Sequence, residues 1–273
     1  LSLCPELVIM PARFEVYRQV SQQVRSIFVR YTDLVEPLAL DEAYLDVTEP
    51  KLGPPSGTLI ARAIKAAIRN ETDLTASAGV ATGKFLAKVA SGLQKPDGLT
   101  VILPADEEAF LAKLPVGDFF GVGPATRERM HALGIRTGAD LKAYGPDALE
   151  REFGKTGRFF HEIACGRDER RVEPNRERKS IGAETTFESD RWGRAELDPV
   201  LSDLTDEVTH RLARSGMLGR TVTVKLRFRD FTTITRSHTS LSPVSEKGEV
   251  LALARKLAFE TERQDEPIRL LGV

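Results

Sequence analysis

Two adjacent carboxylates, Asp41 and Glu42, interrupt the apolar run Leu38-Ala39-Leu40-Asp41-Glu42-Ala43-Tyr44-Leu45-Asp46-Val47-Thr48. A strand interior buries two neighbouring negative charges only at high cost. On a regular strand the two would also point to opposite faces. The pair is therefore predicted at a strand end or in a hairpin, with both side chains reaching one mouth. Carboxylate oxygens are the ligands Mg²⁺ prefers, and Mg²⁺ commonly brings phosphates with it. Taken alone, the pair fits a solvated hairpin tip as well.

A second cluster is basic. Lys84, Lys88 and Lys95 recur at four- and seven-residue steps, and Lys95 stands just before the turn Pro96-Asp97-Gly98. A lysine fixed at the end of a helix meets a phosphate as a point charge. The same spacing also describes a solvated lysine face.

The third cluster is Gly121-Val122-Gly123-Pro124, ahead of a helix predicted over 124–133. Glycines there let another backbone approach, and the amides at the helix start face outward. Pro124 suits the first helical turn, which needs no N–H at that place. Such a helix–hairpin–helix holds DNA phosphate without reading sequence. Gly154-Lys155-Thr156-Gly157 precedes a further predicted helix and repeats the arrangement, which places Gly157 among the candidate DNA contacts. An ordinary pair of antiparallel helices remains the other reading.

The fourth is a strict alternation over 220–229. Val222, Val224, Leu226 and Phe228 lie on one face, and Thr221, Thr223, Lys225, Arg227 and Arg229 on the other. A partner strand over 231–241 carries Thr232, Thr233, Thr235, Arg236, Ser237 and His238. The open face of this sheet is expected to be rich in hydroxyls and bases, Arg227 and Arg236 among them. It suits non-specific contact with a phosphate backbone, or it is simply solvated.

The elements that must position these groups follow from hydrophobic period. Val8 to Pro11 reads as a short strand. Phe14, Tyr17, Val20, Val24, Ile27, Phe28 and Tyr31 mark an amphipathic helix. A second helix spans 59–70, and 51–58 is a loop. A buried strand over 74–81 is expected to pair with the carboxylate strand. A short helix over 85–92 and a strand over 99–103 follow. Residues 105–166 are helical. Residues 167–179, charged almost throughout, read as a linker whose arginines touch DNA or are solvated. Strands at 181–187, 220–229, 231–241 and 268–273, with helices at 199–212 and 246–263, give a βαββαβ unit. The fold class is α+β, with domains expected at 1–103, 104–166 and 179–273 around the linker 167–178.

Composition sets outer bounds. The 273 residues are 41% apolar and 29% charged, with a net charge of −1. That describes a globular chain, and no apolar run nears the ~18 residues of a membrane span. None of the three expected domains is strongly basic, so nucleic-acid contact has to come from local clusters. Two cysteines, Cys4 and Cys165, without metal-ligand spacing suggest a reducing, cytoplasmic setting.

Together, the motifs resemble the Y-family DNA polymerases of the DinB type, over essentially the whole chain and in that family's order. Leu38–Thr48 resembles the catalytic palm motif. Ser77-Ala78-Gly79-Val80 through Lys95-Pro96-Asp97-Gly98 resembles the second palm motif. Gly121-Val122-Gly123 resembles the thumb hairpin, and Arg178-Lys179-Ser180-Ile181-Gly182 the start of the little finger. The resemblance implies a mixed-sheet palm, a small helical thumb and a βαββαβ little finger. It implies error-prone, translesion DNA synthesis by two-metal-ion nucleotidyl transfer. Asp41 would ligate two Mg²⁺ ions, and Glu42 the one near the attacking 3′ oxygen. Lys95 would contact the triphosphate of the incoming dNTP. DNA contacts are implied at Gly121, Val122, Gly123, Lys179 and Ser180. Primer-template DNA, dNTP and a sliding clamp are the implied partners of a monomer, with no membrane association.

Three departures from the family pattern carry consequences. The family opens with a strand bearing another catalytic aspartate, followed by fingers, whereas this chain begins where the palm resumes, near Pro11-Ala12-Arg13. As written it is expected to be inactive by itself, the complete protein being the enzyme. Ala39 replaces the usual serine, and Phe120 the usual proline before the glycine hairpin. The chain stops within the last little-finger strand, before any clamp-binding tail. The competing reading is a catalytically incompetent DNA-binding protein built from the same parts.

Overall fold

The computed structural model describes residues 4–175, 177–261, 263 and 266–273. The chain is α+β and forms two compact units, Leu1–Arg176 and Glu177–Val273.

The first unit opens with the amphipathic helix α1 (Phe14–Phe28). A short antiparallel hairpin follows, β1 (Val35–Pro37) with β2 (Ala43–Leu45). Helix α2 (Gly57–Thr72) starts at the N-cap Ser56, whose hydroxyl accepts the Leu59 amide. Ile60, Ile64 and Ile68 recur every four residues along α2. They pack on Ile27 of α1 and on Leu45 and Val47 of the hairpin. A β-α-β unit then runs through β3 (Ala78–Val80), α3 (Lys84–Leu93) and β4 (Leu99–Val101), the two strands being parallel. Gly79 lets β3 lie against α3: a Cβ there would stand 2.0 Å from the Ala87 carbonyl oxygen.

Two expectations are corrected here. Residues 8–11 form no strand and lie exposed. An apolar run becomes a strand only where a neighbour takes up its amides and carbonyls, and none of the described strands does. The strand within 74–81 pairs with β4 and not with the carboxylate hairpin, so the described residues of the first unit form two separate two-stranded sheets. Close packing of Gly79 on α3 ties β3 to the strand that α3 leads into.

Helices α4 (Glu107–Lys113), α5 (Pro124–Ala132), α6 (Gly138–Tyr144), α7 (Pro146–Phe153) and α8 (Lys155–Ala164) complete the unit. Thr137 and Asp140 form a reciprocal capping box at the start of α6. Phe85, Leu86 and Ala90 of α3 belong to the same apolar core as Phe119, Met130, Leu141, Leu149, Phe160 and Ile163. One core thus runs across residue 103 and fixes α3 against the helical segment.

The second unit is β5 (Glu184–Arg191), α9 (Gly193–Ser215), β6 (Gly219–Phe228), β7 (Thr233–Val244), α10 (Lys247–Phe259) and β8 (Ile268–Gly272). The βαββαβ order holds, and the strands lie in the order β5-β8-β6-β7. Val222, Val224, Leu226 and Phe228 are buried with Leu201, Leu204 and Val208 of α9 and with Val250 and Ala254 of α10. Helix α9 begins six residues before Pro199, which sits within the helix. Among the described residues, no helix is long and apolar enough to cross a membrane.

Candidate active site and nucleic-acid interface

Residues 38–42 make the tip of the β1–β2 hairpin. The Glu42 carbonyl accepts the amides of Leu38 and Ala39, at 2.9 and 3.3 Å, and Arg25 of α1 donates to the Ala39 carbonyl at 3.2 Å. Asp41 is exposed there and Glu42 half-buried. Both carboxylates therefore come from one loop, as their sequence position predicts. Helix α3 lies opposite. Its Lys88 donates a hydrogen bond to Glu42. One turn earlier, Lys84 does the same to Glu36 of β1, and both members of that second pair are almost fully buried.

The three lysines thus divide. Lys84 and Lys88 are neutralised within the fold. Lys95 is exposed and has no hydrogen bond or ion pair to the described residues. It follows the last residue of α3 by two positions. The donor set at the hairpin tip, two carboxylates with one exposed, fits two ligands of a hard, oxygen-preferring cation that retains water and phosphate oxygens as its others. Among the described residues no three acidic, histidine or cysteine side chains cluster as ligands.

Gly121-Val122-Gly123 forms the turn before α5. Gly121 has φ +85°, a left-handed conformation that requires glycine. Gly123 is the N-cap of α5, with Pro124 in its first turn and no side chain closing the end. The amides of the first turn have no intrahelical partners and face outward, as a phosphate contact needs. Phe120, which stands where a proline was expected, takes part in a contact that sequence reasoning missed. The Arg170 guanidinium lies 5.1 Å from the centroids of both Phe120 and Phe159.

Arg170 belongs to the stretch 167–179, read as a linker whose arginines touch DNA or are solvated. The structure corrects that reading: residues 168–173 are strapped to the first unit. The Asp168 carboxylate accepts the Phe85 amide at 2.8 Å, capping α3 from outside the helix, and two hydrogen bonds from Arg170 at 2.6 and 2.7 Å. Lys84 donates to the Arg171 carbonyl at 3.1 Å. The Glu173 amide donates to Glu36 at 2.8 Å. Burial alone would raise the Asp168 carboxyl. The hydrogen bonds from Arg170 and the Phe85 amide outweigh it and hold the group below the usual carboxylate range. Tyr44, whose ring lies under the Lys84 ammonium, is pushed upward by burial. The sequence signal for the strap was faint: one Asp-x-Arg within a charged run.

Gly157 is corrected as an outward amide donor. It lies buried inside α8, its amide bonds the Gly154 carbonyl at 2.8 Å, and a Cβ would stand 1.9 Å from the Leu149 carbonyl oxygen. It is a packing glycine between α7 and α8.

In the second unit, Lys179 and Ser180 are exposed in the irregular segment before β5. The open sheet face carries cross-strand polar pairs. Thr221 meets Thr239 at 2.9 Å, Thr223 meets Ser237 at 2.8 Å, and Arg227 donates to Thr233 at 2.9 Å. Lys225 is paired with Glu184 at 2.8 Å. Arg236 is separated from Arg227. It stands opposite Val224 in the ladder, and so on the face that carries the core residues, exposed at the edge strand β7. One residue of register decides this, because successive side chains alternate faces.

The sequence pattern of the impB/mucB/samB family matches residues 1–92, that of the IMS family HHH motif residues 104–135, and that of the impB/mucB/samB family C-terminal domain residues 178–273. DNA polymerase IV of Alkalilimnicola ehrlichii is 54% identical over 272 residues, covering 99% of this chain and 76% of that protein. DNA polymerase IV of Akkermansia muciniphila is 51% identical over 273 residues, covering 100% and 76%. The chain belongs to the Y family of DNA polymerases, DinB type. Solved structures agree. The Y-family DNA polymerase chimera Dbh-Dpo4(243-245)-Dbh matches with a TM-score of 0.86 at 26% identity, covering 99% of this chain and 78% of that one. The insertion ternary complex of Dbh DNA polymerase matches at 0.65 and 25% identity, with the same coverage. As a DinB-type polymerase, the chain is built for translesion DNA synthesis, a DNA-directed nucleotidyl transfer.

Proposed function

We propose that Asp41 and Glu42 are the metal-binding carboxylates of this DinB-type polymerase, and that Lys95 receives the triphosphate of the incoming dNTP. The observation that carries the reading is the hairpin tip, where one loop holds both carboxylates and Glu42 meets Lys88 of α3, the helix that leads to the unpaired Lys95. On this reading residues 1–103 serve as palm, 104–166 as thumb, 167–178 as a connection whose residues 168–173 are strapped to the first unit, and 179–273 as little finger. Two bound Mg²⁺ ions would supply charge neutralisation at the reacting phosphate and activation of the primer 3′ hydroxyl. Asp41 is free to bind from solvent. Glu42 gives one carboxylate oxygen to Lys88, so a metal there takes the other oxygen or displaces the lysine. Lys95, with no competing carboxylate, offers its charge to the triphosphate. The outward amides after Gly121-Val122-Gly123 hold template or primer phosphates without reading bases, and Arg227 with the open face of the second unit does the same. Primer-template DNA and dNTP are then the substrates of a cytoplasmic monomer, with a sliding clamp as the partner suggested by family resemblance.

Primer extension by the full-length protein tests the reading. Asp41→Ala and Glu42→Ala each lower incorporation by several orders of magnitude, since the metal site supplies several kcal/mol. Chelation of divalent ions stops the reaction, and added Mg²⁺ restores it. Unimpaired extension by either variant would sink the assignment. Salt-sensitive DNA binding without any incorporation would favour the non-catalytic reading.

A further inference from the structure

Lys65, on α2, is a lysine whose ammonium is taken into the protein. Its side chain is 15% exposed. The Nζ donates to the carbonyls of Ala76 and Asp97, both at 2.7 Å, to the Asp97 carboxylate at 2.6 Å and to the Gly98 carbonyl at 3.2 Å. An ammonium has three donors, so these four acceptors saturate it. Two of the three residues it holds, Asp97 and Gly98, belong to the turn that begins immediately after Lys95.

That turn needs holding. Asp97 has φ +55°, a left-handed conformation unusual for a residue with a side chain. It brings the Asp97 carbonyl and carboxylate to the same ammonium. Gly98 is wedged against α3, where a Cβ would stand 2.1 Å from the Gln94 carbonyl oxygen. Its carbonyl also accepts the Ala78 amide at 3.0 Å. The loop from the end of α3 to β4 is therefore closed by one charge on α2, and Lys95 is the first exposed cation beside the closure.

We propose that Lys65 is a positioning residue: by gathering the Ala76, Asp97 and Gly98 carbonyls it fixes the turn that aims Lys95 at the triphosphate of the incoming nucleotide. The proposal rests on the assignment of Lys95 given above. A methionine keeps nearly the length of the Lys65 stem without its donors and frees the turn. An arginine keeps a charged donor on a long stem.

Single-nucleotide insertion by the full-length protein, measured for the parent, K65M, K65R, K95A and K65M/K95A, tests it. K95A is expected to raise KM for dNTP about tenfold. K65M raises KM about fivefold with kcat within twofold of the parent, K65R returns KM to within twofold, and K65M/K95A is no worse than K95A alone. Amide exchange at Gly98 and Ala78 is faster in K65M while the global unfolding midpoint moves little. An unchanged KM in K95A would remove the Lys95 assignment itself. A raised KM in K95A with an unchanged KM in K65M, or with multiplying effects in the double variant, would overturn the Lys65 proposal and leave that assignment standing. If K65M does not fold, K65Q, which is one atom shorter, lacks the charge and sets an acceptor oxygen among the carbonyls, serves the same comparison. A KM in K65Q equal to the parent's would overturn the proposal equally.

Discussion

The Lys88 ammonium rests on the Glu42 carboxylate, so one of the two candidate metal ligands carries a counter-ion within the protein. Both side chains are more than a third exposed, at 36% and 38%. Solvent screens such a pair, and it is worth about 1 kcal/mol or less. A divalent cation can therefore displace Lys88 at little cost. Lys88→Met removes the competitor and leaves the site more negative. Mn²⁺ titration of the variant without nucleotide is expected to show affinity about two- to fivefold tighter than the parent's. Weaker or unchanged affinity would mean that Lys88 and the metal do not compete for Glu42.

Asp168 makes a second, more buried pair, with a side chain only 6% exposed. Asp168→Ala strips α3 of its external cap and leaves Arg170 between two aromatic rings without its carboxylate. A loss of about 2–3 kcal/mol is expected in denaturant unfolding. The pH dependence has a definite sign. The folded Asp168 carboxyl lies below its ordinary value, so its contribution is complete above the unfolded value near 4 and disappears as pH falls through the folded value. The gap in stability between parent and D168A should be constant above about pH 5 and shrink in more acid solution. A gap that widened with acid would reverse the assignment.

Gly121 and Gly157 looked alike in sequence, each within a glycine turn beside a helix, but the structure gives them opposite tasks. Gly157→Ala forces a methyl into the Leu149 backbone and is expected to cost about 1–3 kcal/mol of stability. DNA affinity of the folded fraction should not change. Gly121→Ala meets no backbone but has to hold a left-handed φ, at a cost of about 1 kcal/mol. It alters the turn that leads into α5, so weaker DNA binding should accompany the smaller stability loss. Fluorescence anisotropy on a primer-template, with melting curves, separates the two outcomes.

What could be read from the chain alone was what is decided locally. Alternation over 220–229 gives β6 with Val222, Val224, Leu226 and Phe228 inside. Gly-x-Gly-Pro gives the turn before α5, because φ > 0 and a missing amide are properties of single residues. The Asp41-Glu42 tip was legible because two buried neighbouring charges would be costly. The strap was not legible, since its partners lie far off in sequence: Phe85 is 83 residues from Asp168, and Glu36 is 137 from Glu173. A run of charges looks the same whether its partners are water or distant groups. Lys65 was hidden for the same reason, as three carbonyls and one carboxylate on other elements give it meaning. Arg236 was misplaced by pooling a strand's polar residues without its register.

Register also orders the arginines and lysines of the second unit by their effect on DNA binding. Arg227 lies on the open face and spends only its Nε hydrogen, on Thr233. Its charge remains available to a phosphate. Lys225 lies on the same face but is paired with Glu184, so binding there has to give up an existing ion pair. Arg236 stands on the other face. If DNA lies on the open face, Arg227→Ala lowers the slope of log affinity against log salt by about 0.9, the release expected for one phosphate contact. Lys225→Ala lowers it by less, and Arg236→Ala leaves it unchanged. Anisotropy titrations of the full-length protein at several salt concentrations give all three slopes. Equal losses at Arg227 and Arg236 would show that the edge of β7, and not the open face, lies against the phosphates.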